Sequence, residues 1–361
     1  MNFDIAKIDK NLVPNGDTKR EDAVFYSLRE EPFRLYGLYN AREERPFRRM
    51  PAEYTERVGE GYTLMMGMTA GARARFKTDS SYIILRAETP KVTPYTACGT
   101  ITAMKGFDLY FIDEKGEERY YKSFRPPVQF EKGYEAILEM PEGMHEMVLY
   151  FPMYNQISDV YLGFQKTATL GGGRRYAIEK PILFYGSSIT QGCCTGRTGN
   201  IYSSVVGRML DCDTVNLGVS GGAKGQLPTA EYISGLSLSA FVYDYDYNAP
   251  DLAFLQETYM PFLRIIREKQ PKLPIVLVSM ISRVFPELEE RKAFIRAQYE
   301  AMRAAGDENV YFIDGQSLIS DTEWDMTTTD TTHPNDFGFL RMAEGMIPVL
   351  RGILEGKKNG I

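Results

Sequence analysis

Residues 182–192, ILFYGSSITQG, decide how the rest of the chain is read. An unbroken apolar run stops at Gly186, a turn of small residues follows, and the chain then leads toward a helix with Ile201, Val205 and Met209 in register. Four runs of the same kind come after it: TVNLG (214–218), AFVYDY (240–245), PIVLVSM (274–280) and VYFID (310–314). Between them lie longer segments with helical spacing. One has Leu252, Leu255, Tyr259, Leu263 and Ile266 on a common face, with Pro261 expected to kink or restart it. Strands alternating with helices mean parallel strands joined by right-handed crossovers, an α/β layer fold. Ligands in such folds collect at the carboxyl ends of the strands.

The upstream half has a different period. From about Tyr62 to Gln165 it reads as short runs rich in Tyr, Phe, Val and Ile: YTLMMGMT, ARARFKT, SYIILRAE, FDLYFID, RYYKSF, YEAILEM and HEMVLYFPMY. Turn chemistry such as Asp79-Ser80-Ser81 and Pro141-Glu142-Gly143 bounds them, which predicts an all-β sandwich or jelly roll. The basic cluster EERPFRRM (43–50) reads as solvated edge or interdomain surface. Gly171-Gly172-Gly173 is the best linker signal. We therefore expect a β-sandwich domain over 1–175 and an α/β domain over 176–361.

Composition bounds the partners. The 361 residues suffice for two cores; a net charge of -6 and no dense Lys/Arg tract make nucleic acid an unexpected partner. Asp4 and Asp9 interrupt the start where a secretory leader needs an apolar core, and no run of about 18 apolar residues occurs. A cytoplasmic, non-membrane protein is expected, or a secreted one if the natural start is missing. Cys98, Cys193, Cys194 and Cys212 do not make a disulfide framework, and His145 and His333 are too few for a His-rich zinc site.

The chemistry-bearing residues sit just after the strands. Ser187-Ser188 follows the first, Val219-Ser220-Gly221 the second and Asp246-Tyr247-Asn248 the third, while Asp330-Thr331-Thr332-His333 follows the last. A serine hydroxyl is a poor nucleophile until an imidazole takes its proton, and the imidazole works best when a carboxylate holds its other nitrogen. Ser188, His333 and Asp330 fit those roles. The tetrahedral oxyanion needs preorganised donors, for which the Ser188 N–H, the Gly221 N–H and the Asn248 side chain are candidates, each worth roughly 3 kcal/mol.

In order and spacing these blocks resemble the SGNH hydrolases, also called the GDSL esterase/lipase family. GSSITQG resembles the first block with the nucleophile at Ser188, and NLGVSG the second with an oxyanion glycine at Gly221. YDYN resembles the third with an oxyanion asparagine at Asn248, and DTTHP the last with Asp330 and His333. The resemblance runs from about residue 180 to 352 and implies a flavodoxin-like three-layer α/β/α fold. The upstream half is similar to the all-β domain that precedes it in some bacterial two-domain hydrolases. Two departures stand out: Ser187 where the family often has Asp, and Asp246-Tyr247-Asn248-Ala249 where Gly-x-Asn-Asp is usual. Relatives of this kind resemble acyl-carbohydrate esterases more than lipases.

The remaining polar residues have simpler readings. His145 reads as structural, Cys193 and Cys194 as small packing side chains with a vicinal disulfide or oxidation sensor as the alternative, and Arg197 as solvated. The tyrosines of the β-domain pack in its core and across its strands. Asp244 and Asp246 suggest a metal, yet serine-hydrolase chemistry needs none, so neither cofactor nor metal is expected. The expectation is a serine esterase removing small acyl groups, acetyl above all, from a carbohydrate, with an oligosaccharide or small-molecule ester as partner and the oligomeric state left open. The alternatives are a lipase, lysophospholipase or thioesterase on the same triad, and a carbohydrate-binding protein with a degenerate hydrolase domain.

Overall fold

The computed structural model describes residues 17–93 and 99–356, so the initial decapeptide and Cys98 lie outside the described residues. In the first half, strands β1 (Ala23–Ser27), β2 (Arg34–Tyr36), β3 (Arg73–Thr78), β4 (Tyr82–Glu88), β5 (Phe107–Ile112), β6 (Glu118–Phe124), β7 (Gly133–Glu139), β8 (His145–Tyr150), β9 (Asp159–Gln165) and β10 (Leu170–Gly172) make two antiparallel sheets. One runs β1-β9-β4-β7; the other runs β10-β3-β8-β5-β6, with β2 also on β3. Alternate residues of both sheets, among them Ile83 and Leu85, Leu162 and Phe164, Ala74 and Phe76, and Met147 and Leu149, meet in one apolar core. That period-2 burial is the arrangement of a sandwich.

Two upstream readings change. YTLMMGMT is helical, not a strand: α2 (Glu60–Met66) follows the single turn α1 (Ala52–Thr55), and Tyr62 and Met66, one turn apart, are buried together. The Gly171 stretch is no loose linker, since Gly171 and Gly172 pair with Lys77 and Phe76 as an edge strand. The upstream sheets end there, and the next strand begins at Ile178. A further short helix, α3 (Ile101–Lys105), is capped by the Thr100 hydroxyl.

The second half holds β11 (Ile178–Gly186), β12 (Cys212–Gly218), β13 (Ala240–Asp244), β14 (Ile275–Val278) and β15 (Val310–Ile313), all parallel, in the order β12-β11-β13-β14-β15. Counted within the domain this is the 2-1-3-4-5 order of a flavodoxin-like sheet. Helices α4 (Ser188–Gln191), α5 (Tyr202–Leu210), α6 (Leu227–Ser234), α7 (Leu252–Lys269), α8 (Leu288–Ala304), α9 (Trp324–Thr327) and α10 (Asp336–Leu354) connect and cover it. Leu183, Tyr185, Phe241, Tyr243, Ile275 and Leu277 face α6, α7 and α8; their neighbours Ile182, Phe184, Ala240, Val242, Val276 and Val278 face α5 and α10. A strand buried on both faces has no polar alternate residues, which explains the unbroken apolar runs.

Packing refines two local readings. Helix α7 does not restart at Pro261 but runs through it as one element, because Leu255, Tyr259, Phe262, Leu263 and Ile266 are all buried against the sheet and outweigh one lost backbone bond. Of the residues read in register here, Ile201 and Val205 are buried, with Tyr202 and Val206 beside them, while Met209 is 48% exposed.

The two halves are fastened by polar groups as well as apolar ones. Met50, Tyr62 and Met66 belong to the same apolar core as β11, β12 and β13. The basic cluster is interdomain and only partly solvated: Arg49 is buried and donates to the carbonyls of Met65, Met68, Asn216 and Gly218. Arg73 is paired with Asp213 and donates to the Thr214 carbonyl at 3.0 Å. The buried Asp108 carboxylate accepts from the Gly199 N–H at 2.8 Å.

Candidate active site

Register places three turns on one edge of the sheet. Gly186 at the end of β11 is paired with Gly218 on β12 and with Asp244 on β13, so the segments that follow all emerge side by side. A Cβ on Gly186 would stand 2.1 Å from the Asp244 carbonyl oxygen, so this strand exit admits only glycine. Ser187 then caps the short helix α4 by accepting from the Ile189 N–H at 3.2 Å, which is the work of the residue where the family often has Asp. Ser188 opens that helix with its hydroxyl half-exposed at the strand edge.

The imidazole arrives from the far end of the domain. Between α9 and α10 the chain turns tightly through Thr331 at φ 66, and Asn335 accepts from Phe337 and Gly338 to cap α10. Asp330 Oδ1 accepts from the backbone N–H groups of Thr332 at 3.1 Å and His333 at 2.7 Å, which sets the carboxylate beside the ring. Asp330 Oδ2 then lies 2.8 Å from His333 Nδ1, and His333 Nε2 lies 2.8 Å from Ser188 Oγ. Partial burial pushes the Asp330 carboxyl up, but the backbone N–H and imidazole of His333 outweigh it and hold the carboxyl below its usual value. An ionised Asp330 fixes the proton on Nδ1 and leaves the lone pair on Nε2, facing the hydroxyl.

Gly221 and Asn248 stand on the two flanking turns. Gly221 has φ +65 and is exposed, and among the described residues its N–H finds no protein acceptor. Its turn is set by Ser220, whose N–H donates to Gln191 Oε1 at 2.9 Å and whose hydroxyl is bonded to Tyr154 OH. Asn248 ends a 3₁₀ turn, Asp246–Asn248, and is half-buried with an Oδ1 that has no donor among the described residues. It does not cap α7, since Asp251 does so by accepting from Phe254 at 2.8 Å.

The support the sequence motif lacked comes from elsewhere. Buried Arg291 donates to the carbonyls of Asp246 at 3.0 Å and Ala249 at 3.1 Å, gripping the Asn248 turn on both sides. Asp246 Oδ2 accepts from the Met280 N–H at 2.9 Å, and Asp244 Oδ2 accepts from Tyr202 OH at 3.0 Å. Burial, then the neighbouring Asp244 charge, pushes Asp246 up to about 8, and burial pushes Asp244 up to about 6.

Both groups therefore hold protons in the fold at a pH where the unfolded chain, near the ordinary 3.8, has released them. Their contribution to stability is complete below about pH 4 and is lost as the pH rises through 6 and then 8. Urea unfolding midpoints should fall between about pH 4 and about pH 8, and Asp246→Asn, neutral throughout, should flatten that fall, most of all above about pH 6. Parallel pH profiles for the two proteins would refute it.

Other residues singled out in the sequence fall in different places. His145 stacks on Phe111 at 4.7 Å in the β-domain, a structural position. Arg197 is only partly solvated: its guanidinium lies over the Tyr120 ring at 3.6 Å and within 3.8 Å of Asp108. Cys193 packs against the apolar cluster of Met68, Met153 and Ile201, as a packing side chain should, and the sulfurs of Cys193 and Cys194 lie beside His333. Sequence reasoning missed Tyr154, Arg49 and Arg291. Their only signal was large polar side chains in segments that also carry apolar residues, which does not say what they reach.

Residues 179–351 match the GDSL-like lipase/acylhydrolase family, and residues 23–170 match the N-terminal domain of SGNH-hydrolase-type esterases. No curated protein matches the sequence. Among solved structures, a GDSL-like lipase candidate from Bacteroides ovatus ATCC 8483 shares 27% identity at a TM-score of 0.82, covering 92% of this chain and 98% of that one. The salicylyl-acyltransferase SsfX3 of a tetracycline biosynthetic pathway shares 18% at a TM-score of 0.77, covering 94% and 100%. The acetyl xylan esterase Est2A of the rumen bacterium Butyrivibrio proteoclasticus shares 14% at 0.58, covering 92% and 99%.

Proposed function

Starting from a chain that belongs to the GDSL-like lipase/acylhydrolase family and is a carboxylic ester hydrolase, we propose that it removes acetyl groups from a carbohydrate by a Ser188, His333 and Asp330 acyl-enzyme mechanism. The observation that carries the mechanism is the continuous chain of two 2.8 Å contacts from Ser188 Oγ through the imidazole to the Asp330 carboxylate. In this reading Ser188 Oγ attacks the ester carbonyl while His333 Nε2 takes its proton, and Asp330 steadies the imidazolium that results. The Ser188 and Gly221 N–H groups and the Asn248 amide receive the oxyanion. As the C–O bond breaks, His333 returns the proton to the leaving sugar oxygen. Water then attacks the acetyl-Ser188 ester, again through His333, and releases acetate.

The carbohydrate assignment is supported by likeness in fold to the acetyl xylan esterase and to a family-two carbohydrate esterase from Clostridium thermocellum solved in complex with cellohexaose. Its test is acetate release from acetylated xylo-oligosaccharides beside a series of p-nitrophenyl acetate, butyrate and octanoate. Preference for acetate with release from the sugar supports the proposal. Faster turnover of octanoate would favour the lipase or thioesterase alternative, and transfer to an added alcohol in place of hydrolysis would favour an acyltransferase.

Asn248→Ala should lower kcat about a hundredfold while KM changes little, because the amide bonds to charge that exists only in the transition state. A matching rise in KM with unchanged kcat would remove Asn248 from the oxyanion site.

A further inference from the structure

Beside the Ser188 hydroxyl, three metal-ligating atoms converge without being needed together for ester cleavage. The Sγ atoms of Cys193 and Cys194 and a ring nitrogen of His333 lie within 4.8 Å of one another, with both cysteines reduced and their sulfurs 3.7 Å apart. Adjacent side chains of an extended chain point to opposite sides. Here Cys194 sits at φ 72, a left-handed conformation that residues with a Cβ seldom adopt, and both sulfurs come to one side of the turn.

The spacing can be compared with coordination geometry. Bonds of about 2.3 Å to sulfur and about 2.0 Å to imidazole nitrogen place tetrahedral Zn²⁺ ligands about 3.8 Å apart for sulfur and sulfur, and about 3.5 Å apart for sulfur and nitrogen. The sulfur pair already stands at that separation. Bringing the imidazole nitrogen in asks for a side-chain adjustment of about 1.3 Å at most, and Cys193 and His333 are only half-buried, so an ion has a way in.

We propose that Cys193, Cys194 and His333 form a binding site for a thiophilic divalent cation of the Zn²⁺ class, and that its occupation reversibly blocks ester hydrolysis. Asp330 holds the proton on Nδ1, so the lone pair that binds the cation is the one on Nε2, the same pair that accepts the Ser188 proton. Coordination forms two metal–sulfur bonds and one metal–nitrogen bond, and the two thiols release their protons to solvent. No atom changes oxidation state, and water completes the tetrahedron. This ion is an inhibitor, not a cofactor: the hydrolytic reading needs Nε2 uncoordinated.

Cation binding itself does not depend on the esterase reading; only the inhibition does. The test is calorimetric titration of the whole chain with ZnCl₂, and with Co²⁺ read by its thiolate charge-transfer absorption, in parallel with p-nitrophenyl acetate hydrolysis. Cys193→Ser, Cys194→Ser, Cys194→Ala and His333→Ala are compared with the wild type, with circular dichroism confirming that each is folded. Cys98 and Cys212 stay in every variant.

The wild type should bind one Zn²⁺ per chain and lose activity in proportion, and EDTA should restore it. Each variant should bind roughly tenfold or more weakly. The cysteine variants should hydrolyse ester normally and resist the ion. Equal binding by wild type and cysteine variants, no thiolate band with Co²⁺, or inhibition that survives cysteine replacement would overturn the site. If the wild type cleaves no ester, the titration still decides the site while the esterase reading fails separately.

Discussion

Replacing Ser188 by alanine is expected to reduce kcat/KM for p-nitrophenyl acetate by roughly a millionfold, as removal of a triad nucleophile does elsewhere, with the fold unchanged. The side chain is half-exposed and touches His333 at 2.8 Å, and the α4 cap belongs to Ser187, so the loss is chemical and not structural. Removing His333 should cost about as much, and the double variant little more than either alone, because the two act as one unit. Activity within roughly tenfold of the wild type would mean that another nucleophile operates. Cys193 is the neighbour to examine in that event, since its thiol is pulled down to about 6.

The second large effect is on stability. Arg49→Ala should destabilise the protein by about 3–5 kcal/mol and lower Tm by roughly 5 °C. The guanidinium is buried and meets four carbonyl oxygens: Met65 at 2.7 Å, Met68 and Gly218 at 2.8 Å each, and Asn216 at 2.9 Å. Alanine leaves all four without that donor in a space the size of a side chain. Burial lowers the pKa of Arg49 to about 10, which still leaves it charged at neutral pH. Two of its acceptors flank the end of β12, three residues before Gly221, so the variant should also lower kcat by loosening that turn. Arg49→Lys keeps the charge but not the planar fork and should fall between the two. Unfolding of Arg49→Ala at the wild-type midpoint would contradict this role for the interface.

Particular residues show what was legible in the sequence. The five parallel strands were readable because burial on both faces removes every polar residue from runs such as ILFY and IVLV, a signal few other structures produce. Ser188, Asp330 and His333, which the fold brings into contact, stood out as candidates because each follows a strand or precedes a helix in a turn of small or capping residues. The helix α2 was not, since seven residues with Tyr62 and Met66 inward do not differ enough from a strand's alternation. Nor was the edge strand at Gly171 and Gly172, which is held by pairing with β3 and not by local preference. The groups that set the turns reach across the chain: Arg49 to Gly218, Tyr154 to Ser220 and Arg291 to Asp246. Periodicity carries no information about such partners, so the candidate nucleophile could be proposed from its block while the groups that hold its turn could not.

The β-domain is thus part of how the site is built. Through Arg49 it holds the end of β12, and through Tyr154 it meets both Ser220 and Cys193. The turn carrying Gly221 is shaped by residues from both halves, which explains why neither half's sequence alone describes it.

The central claim is a covalent intermediate on Ser188, and its most direct measurement is mass spectrometry after treatment with a fluorophosphonate ester, with tandem fragmentation to separate Ser188 from Cys193 and Cys194 on one peptide. One adduct per chain, on Ser188, lost in His333→Ala and in Ser188→Ala, is the predicted result. An adduct on either cysteine, on another serine, or unchanged in the His333 variant would contradict it.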